Sequence, residues 1–144
     1  MKRCESGFTL LEVLVVILII SILATTVGLA LRHLPGRARV AQAKNQVSIF
    51  KSALENYYFD AGNYPSQEQG LHALCEKPLT PPLPKDYPDS GYLDGSNVPL
   101  DPWGHPYVYT VPAKNGKPYE IMSYGKDGEP GGTGEDADIS SLDL

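Results

Sequence analysis

From Val13 to Leu31 the chain runs for nineteen residues without a formal charge, dominated by Val, Ile and Leu. Wound as an α-helix, such a run spans about 28 Å, close to the hydrocarbon thickness of a bilayer. A helix apolar on every side is not an ordinary surface helix. It lies in lipid or in the core of something larger. With about 50 of the 144 residues expected in N-terminal helix, roughly 90 remain, enough for one modest core but too few to wrap that run. Glu12 stands at the head of the run. A carboxylate in lipid costs roughly 2.5–3.5 kcal/mol on insertion scales, so its presence there is a sign of function. The leader Met1-Lys2-Arg3-Cys4-Glu5-Ser6-Gly7 is short and charged, and its small residues precede the apolar run. A secretory signal has its cut site after that run.

Severing the chain after Gly7 would leave an α-amine on Phe8, positive at neutral pH and four residues before Glu12. The carboxylate could close on its own amine or on that of a neighbouring chain. The second option pairs charge while bundling apolar helices side by side. Gly7-Phe8-Thr9-Leu10-Leu11-Glu12 followed by a long apolar helix resembles the processing and assembly motif of type IV pilin-like proteins. The resemblance implies that a prepilin peptidase cuts between Gly7 and Phe8 and methylates the Phe8 amine. It also implies that Glu12 recruits each subunit into a filament. The mid-membrane proline of many such proteins has no counterpart in Thr25-Thr26-Val27-Gly28-Leu29.

Charge is divided unevenly. Residues 1–45 carry six Lys/Arg against two Glu, a balance of +4, and residues 46–144 carry six Lys against fifteen Asp/Glu, a balance of −9. An acidic outer region argues against nucleic acid as a partner, since phosphate binding needs a basic face. Lys2 and Arg3 precede the apolar run, whereas Arg32, Arg37, Arg39 and Lys44 follow it. The positive-inside rule alone would place the C-terminal region in the cytoplasm. The resemblance implies the reverse: a single-pass inner-membrane protein with that region in the periplasm. Once the leader is removed Cys75 is the one cysteine, which rules out an internal disulfide and suits a small buried apolar residue.

Beyond Leu34-Pro35-Gly36, expected to interrupt or bend the helix, Val40, Ala43, Val47, Phe50, Leu54, Tyr57 and Tyr58 recur at helical spacing and predict an amphipathic face. Asp60-Ala61-Gly62 ends the helix. Ser66 with Gln69 three residues on is a capping box and predicts a short helix from about Gln67 to Glu76, with Leu71, Leu74 and Cys75 inward and His72 in solvent. Residues 78–99 are a proline-rich loop with PxxP matches, read as a stiff packed connection. In Asp101-Pro102-Trp103-Gly104-His105-Pro106-Tyr107, Asp101-Pro102 starts a turn and Trp103 anchors it. Tyr107 to Val111 and Tyr119 to Tyr124 read as strands joined through the Asn115-Gly116 turn. The expected fold is α+β: a long N-terminal helix, membrane half plus amphipathic half, on a small antiparallel sheet. The expected divisions are a leader over 1–7, helix over 8–60 with its span at about 13–31, and a globular region over 61–144.

Between Asp127 and Asp138 stand five acids and no base, among glycines. Hard oxygens on a flexible backbone suit Ca²⁺, which accepts about six to eight oxygen ligands. The EF-hand spacing fails after Asp127, and a calcium β-roll repeat is matched only once, which excludes a stacked roll. Tyr64-Pro65-Ser66-Gln67-Glu68-Gln69-Gly70-Leu71, the Asp101–Tyr107 segment and Glu135-Asp136-Ala137-Asp138-Ile139 resemble the corresponding segments of the major pseudopilins of type II secretion systems. That resemblance implies a calcium loop with Asp127, Asp136, Asp138 and the Tyr124 carbonyl as ligands. It implies a structural subunit of a periplasmic pseudopilus that helps export folded proteins. The implied partners are identical subunits, minor pseudopilins, the prepilin peptidase, and the inner-membrane assembly platform with its ATPase. No nucleophile motif, phosphate-binding loop or Cys/His metal spacing points to an enzyme. The alternative is a type IV pilus subunit, whose C-terminal region is usually closed by a disulfide that Cys75 alone cannot form.

Overall fold

The computed structural model describes residues 9–31 and 34–144, with side-chain environments given for residues 9–24 and from residue 36 onward. The chain divides into two compact units, Met1–Gly36 and Arg37–Leu144. In the first, helix α1 runs from Leu10 to Leu31. Thr9 caps it: its Oγ1 accepts the Glu12 N–H at 3.2 Å, and its carbonyl accepts the Glu12 and Val13 N–H groups at 3.1 and 3.3 Å. The large apolar side chains from Val13 to Leu23 are each 47–60 % exposed. Among the described residues, whose side chains in α1 extend to Ala24, no helix is long and apolar enough to cross a membrane. The helical backbone itself continues to Leu31.

Helix α2, Leu34–Ala61, supplies the spine of the second unit. Pro35 falls in its first turn, where a missing N–H costs no helical hydrogen bond. Ala43, Val47, Phe50, Leu54 and Tyr57 follow one another at alternating intervals of four and three and are all fully buried. Tyr58 departs from the expected face. It is 47 % exposed, because one residue advances a helix by about 100° and carries it past the buried stripe. Its ring stacks on Tyr64 at 4.7 Å instead.

The predicted helix at 67–76 is a shorter 3₁₀ helix, Gly70–Leu74. Its capping box is real: Ser66 N–H donates to Gln69 Oε1 at 2.8 Å, and Gln69 N–H to Ser66 Oγ at 3.2 Å. Gly70 then takes φ +57°, a left-handed conformation that ends any α-helix begun at Gln67. Leu71, Leu74 and Cys75 are buried and His72 is exposed. The following proline-rich loop is held by the second end of the Gln69 amide, whose Nε2 donates to the Thr80 and Pro82 carbonyls at 2.6 and 3.0 Å.

Three strands form one antiparallel sheet in the order β1 (Val108–Thr110), β2 (Glu120–Ser123), β3 (Ile139–Ser140). Tyr109 pairs with Ile121, and Ser123 with Ile139. Both expected strands are present but shorter at each end. Lys117 N–H donates to Asn115 Oδ1 at 3.2 Å in the turn between them, and Gly116 takes φ +79°. The third strand has no sequence signature, since two residues carry no period. The segment after Ser140, without any motif, is nonetheless fastened: Ser141 Oγ accepts the Ile121 N–H at 2.9 Å. Lys51 of α2 reaches the Ser141 and Leu144 carbonyls at 3.2 and 2.7 Å. Tyr107 meets Phe50 edge-on at 5.0 Å, so sheet, loop and α2 share one core.

Candidate functional site

Two regions carry the chemistry expected from the sequence, and they belong to different units. In the first, Glu12 occupies the third position of α1, in the first turn. The free N–H groups and the positive end of the helix dipole favour a carboxylate there. Thr9-Leu10-Leu11-Glu12 is itself a capping-box pattern, which gives Glu12 a place in the helix cap besides its charge. Gly7 and Phe8, where cleavage and methylation are expected, lie outside the described residues.

The second region is the acidic loop between β2 and β3. Its base is organised by Asp101, 4 % exposed, whose Oδ1 accepts the Trp103 and His105 N–H groups at 3.1 and 2.8 Å. Its Oδ2 accepts the hydroxyl of Ser123, the last residue of β2, at 2.7 Å. A buried carboxylate with three donors is satisfied rather than stranded, and hydrogen bonds to a charged group are the stronger kind. The expected turn at Asp101-Pro102 is therefore also the joint between the tryptophan loop and the root of the acidic loop. Trp103 packs against the core as an anchor. Its indole Nε1, with the hydroxyls of Tyr57 and Tyr107, is buried without a hydrogen-bond partner among the described residues. Burial, and then the nearby Asp101 charge, push the Tyr107 hydroxyl upward.

Within the loop, Lys126 N–H donates to the Glu135 carbonyl at 2.9 Å and closes the neck. A Cβ on Gly125 would stand 2.6 Å from the Glu135 oxygen and 3.0 Å from that of Ala137, and one on Gly132 would collide with the Asp136 oxygen. Both glycines also have positive φ. They let the backbone of residues 135–137 come closer than any side chain would permit. Asp127 Oδ1 accepts the Glu129 N–H at 3.2 Å, and both oxygens of Asp138 accept the Gly131 N–H at 3.0 Å. Among the described residues, no three His, Cys, Asp or Glu side chains are grouped as metal ligands. Asp127, Asp136 and Asp138 thus share the loop without forming a carboxylate triad. The side-chain and carbonyl donors of the loop are hard oxygens, the kind that Ca²⁺ accepts, and the Glu135 carbonyl among them is engaged by the Lys126 N–H.

Cys75 is buried, and burial pushes its thiol above the usual range, as expected of a small apolar filler rather than a nucleophile.

Residues 31–142 match the family described as "Type II secretion system (T2SS), protein G", and residues 2–28 match the "Prokaryotic N-terminal methylation motif". The chain is 43 % identical over 142 residues to the type II secretion system core protein G of Pseudomonas aeruginosa, covering 99 % of this chain and 98 % of that one. Its counterpart from Vibrio cholerae is 39 % identical, with coverage of 99 % and 94 %. Among solved structures, the crystal structure of the major pseudopilin from the type 2 secretion system of enterohaemorrhagic Escherichia coli superposes with a TM-score of 0.65 at 32 % identity, covering 79 % of this chain and 95 % of that one. With a buried-stripe helix, a small antiparallel sheet and these matches along nearly its whole length, the chain belongs to the type II secretion system protein G family.

Proposed function

We propose that this chain is the structural subunit of the periplasmic pseudopilus of a type II secretion system, which helps drive folded proteins across the outer membrane. The carrying observation is the match along nearly the whole chain to core protein G, joined by the likeness of 79 % of the chain to a solved major pseudopilin. A type IV pilus subunit is the poorer reading, because both matches fall on the secretion branch.

The subunit is membrane-anchored and periplasmic. In finer terms, it enters the inner membrane through the apolar run beginning near Val13, as a single span with the C-terminal unit in the periplasm. Prepilin peptidase removes residues 1–7 and methylates Phe8. Glu12 then meets the amine of an adjoining copy, which draws apolar helices together and out of lipid. Support comes from the N-terminal methylation motif and from a helix α1 with apolar side chains exposed on all sides. Identical copies, minor pseudopilins, and the assembly platform with its ATPase are the partners, and the role is structural rather than enzymatic.

The acidic loop holds calcium, with Asp127, Asp136, Asp138 and the Tyr124 carbonyl as ligands. The five acids with no base between Asp127 and Asp138, in a loop whose neck is closed by the Lys126–Glu135 hydrogen bond, support this. Bound calcium supplies charge neutralisation that lets the carboxylates draw together without repulsion.

Glu12→Ala tests the filament reading. Secretion and pseudopilus formation should be lost, while the denaturation midpoint of the detergent-solubilised chain stays at the unsubstituted value. Normal filaments from the variant would overturn the role of Glu12.

A further inference from the structure

His105 lies outside the ligand set and would pass for a solvated turn residue. The structure gives it another task. Its backbone N–H is held by the buried Asp101 carboxylate at 2.8 Å, which fixes where the side chain departs. Its ring Nδ1 lies 3.1 Å from the Gly125 carbonyl, twenty residues along the chain. A carbonyl only accepts, so the proton of this bond sits on Nδ1. The same ring lies under Gly128: a Cβ added there would stand 3.0 Å from Cε1 and 3.2 Å from each ring nitrogen. Gly125 is the glycine on which the carbonyls of residues 135–137 rest, and Lys126 beside it closes the neck.

We infer that His105 is a positioning residue for the acidic loop: through Gly125 and Gly128 it holds residues 125–128 in the place against which the backbone of residues 135–137 packs. In its calcium consequence this rests on the calcium reading above. In its structural consequence it does not. A chain of contacts runs from Asp101 to His105 to Gly125 to the 135–137 carbonyls, so the loop is ordered from the tryptophan turn as well as from its own neck. Partners that orient a ligand loop commonly change metal affinity by about 10- to 100-fold when removed.

The test uses the full chain in detergent with two substitutions. His105→Asn places an amide Nδ2–H where Nδ1–H stood, and His105→Phe keeps a ring of similar size without the donor. Hydrogen exchange of the Lys126 amide, followed in calcium-free buffer, should quicken by about tenfold in His105→Phe and by much less in His105→Asn. Calcium titration followed by calorimetry should show affinity falling by about tenfold or more in His105→Phe, with partial recovery in His105→Asn. Unchanged exchange at Lys126 in His105→Phe would overturn the positioning role. Equal calcium affinity in all three proteins, with exchange altered, would overturn its reach to the ligands. If the unsubstituted chain takes up no calcium, the calcium reading falls by itself, and the exchange comparison still decides whether His105 holds the loop.

Discussion

Helices α1 and α2 have similar lengths, 22 and 28 residues, and opposite relations to their surroundings. Along α1, residues of one kind cover every side and none of its described apolar side chains is buried. Along α2, apolar residues are sorted into a stripe whose five central members have no exposed surface, while Lys44, Ser48 and Ser52 face out. Apolar surface left in water is costly at about 25 cal/mol per Å². The described side chains of α1 leave that surface uncovered, whereas α2 buries its stripe within its own unit. The difference separates assembly from folding. Changes in α1 should be read in filaments and membranes, and changes in α2 in the stability of the subunit.

The sharpest way to break this comparison is to remove equivalent apolar bulk from each helix. Phe50→Ala should cost about 3–5 kcal/mol in chemical denaturation, since Phe50 is fully buried and meets Tyr107 edge-on. Ile17→Ala, at a position 56 % exposed, should shift the same transition by less than about 0.5 kcal/mol. Similar losses from the two would mean that α1 contributes to the core of the subunit, and the division would fail.

A smaller effect is expected where the α2 core ends and the loop architecture begins. Ser123→Ala removes one of three donors to the buried Asp101 carboxylate and should destabilise the subunit by about 1–3 kcal/mol. A loss comparable to that of Phe50→Ala would show that the polar joint, not the α2 stripe, dominates stability.

The smallest effect should appear at alkaline pH. Burial, helped by Cys75, Tyr57 and Glu76 nearby, pushes the Tyr87 hydroxyl up to about 12, and burial with Tyr64 and Glu55 does the same for Tyr119. Both phenols ionise near 10 when unfolded, so the folded state favours the neutral form. Their contribution is complete below pH 10 and is lost as pH rises through about 12. Denaturation midpoints should therefore hold up to pH 10 and fall beyond it, with phenolate absorbance of the folded chain lagging that of the unfolded chain. Phenolate absorbance rising together in the folded and unfolded chains would contradict burial of these rings at the core.

Much of this could be read from residue order, and the limits have a physical pattern. The stripe of α2 was legible because helical burial repeats every three or four residues, and the Ser66–Gln69 box because its partners sit three apart. The helix expected over 67–76 is cut to Gly70–Leu74 because Gly70 takes a positive φ that no local pattern announces. Tyr58 lies off the face its spacing suggests because its neighbour Tyr57 already completes the stripe. For the acidic loop, composition pointed to oxygen ligands. It could not reveal that Asp138 would bond the Gly131 N–H, or that the loop would rest on His105.

Sequence by itself determined whatever depends on neighbours within about one helical turn or one hairpin: the two helices, the cap at Ser66, the Asn115-Gly116 turn, and the charge and oxygen chemistry of the last segment. Tertiary structure alone decided the pairing of β3 with β2, the grip of Lys51 on the C-terminal carbonyls, and the meeting of Asp101, Ser123, His105 and Gly125. Those pairings join residues from sixteen apart, Ser123 with Ile139, to ninety-three apart, Lys51 with Leu144, and no local spacing encodes a contact at that range. It forms only when burying the α2 stripe brings the distant segments to the same core, where each polar group taken from water has to find a partner.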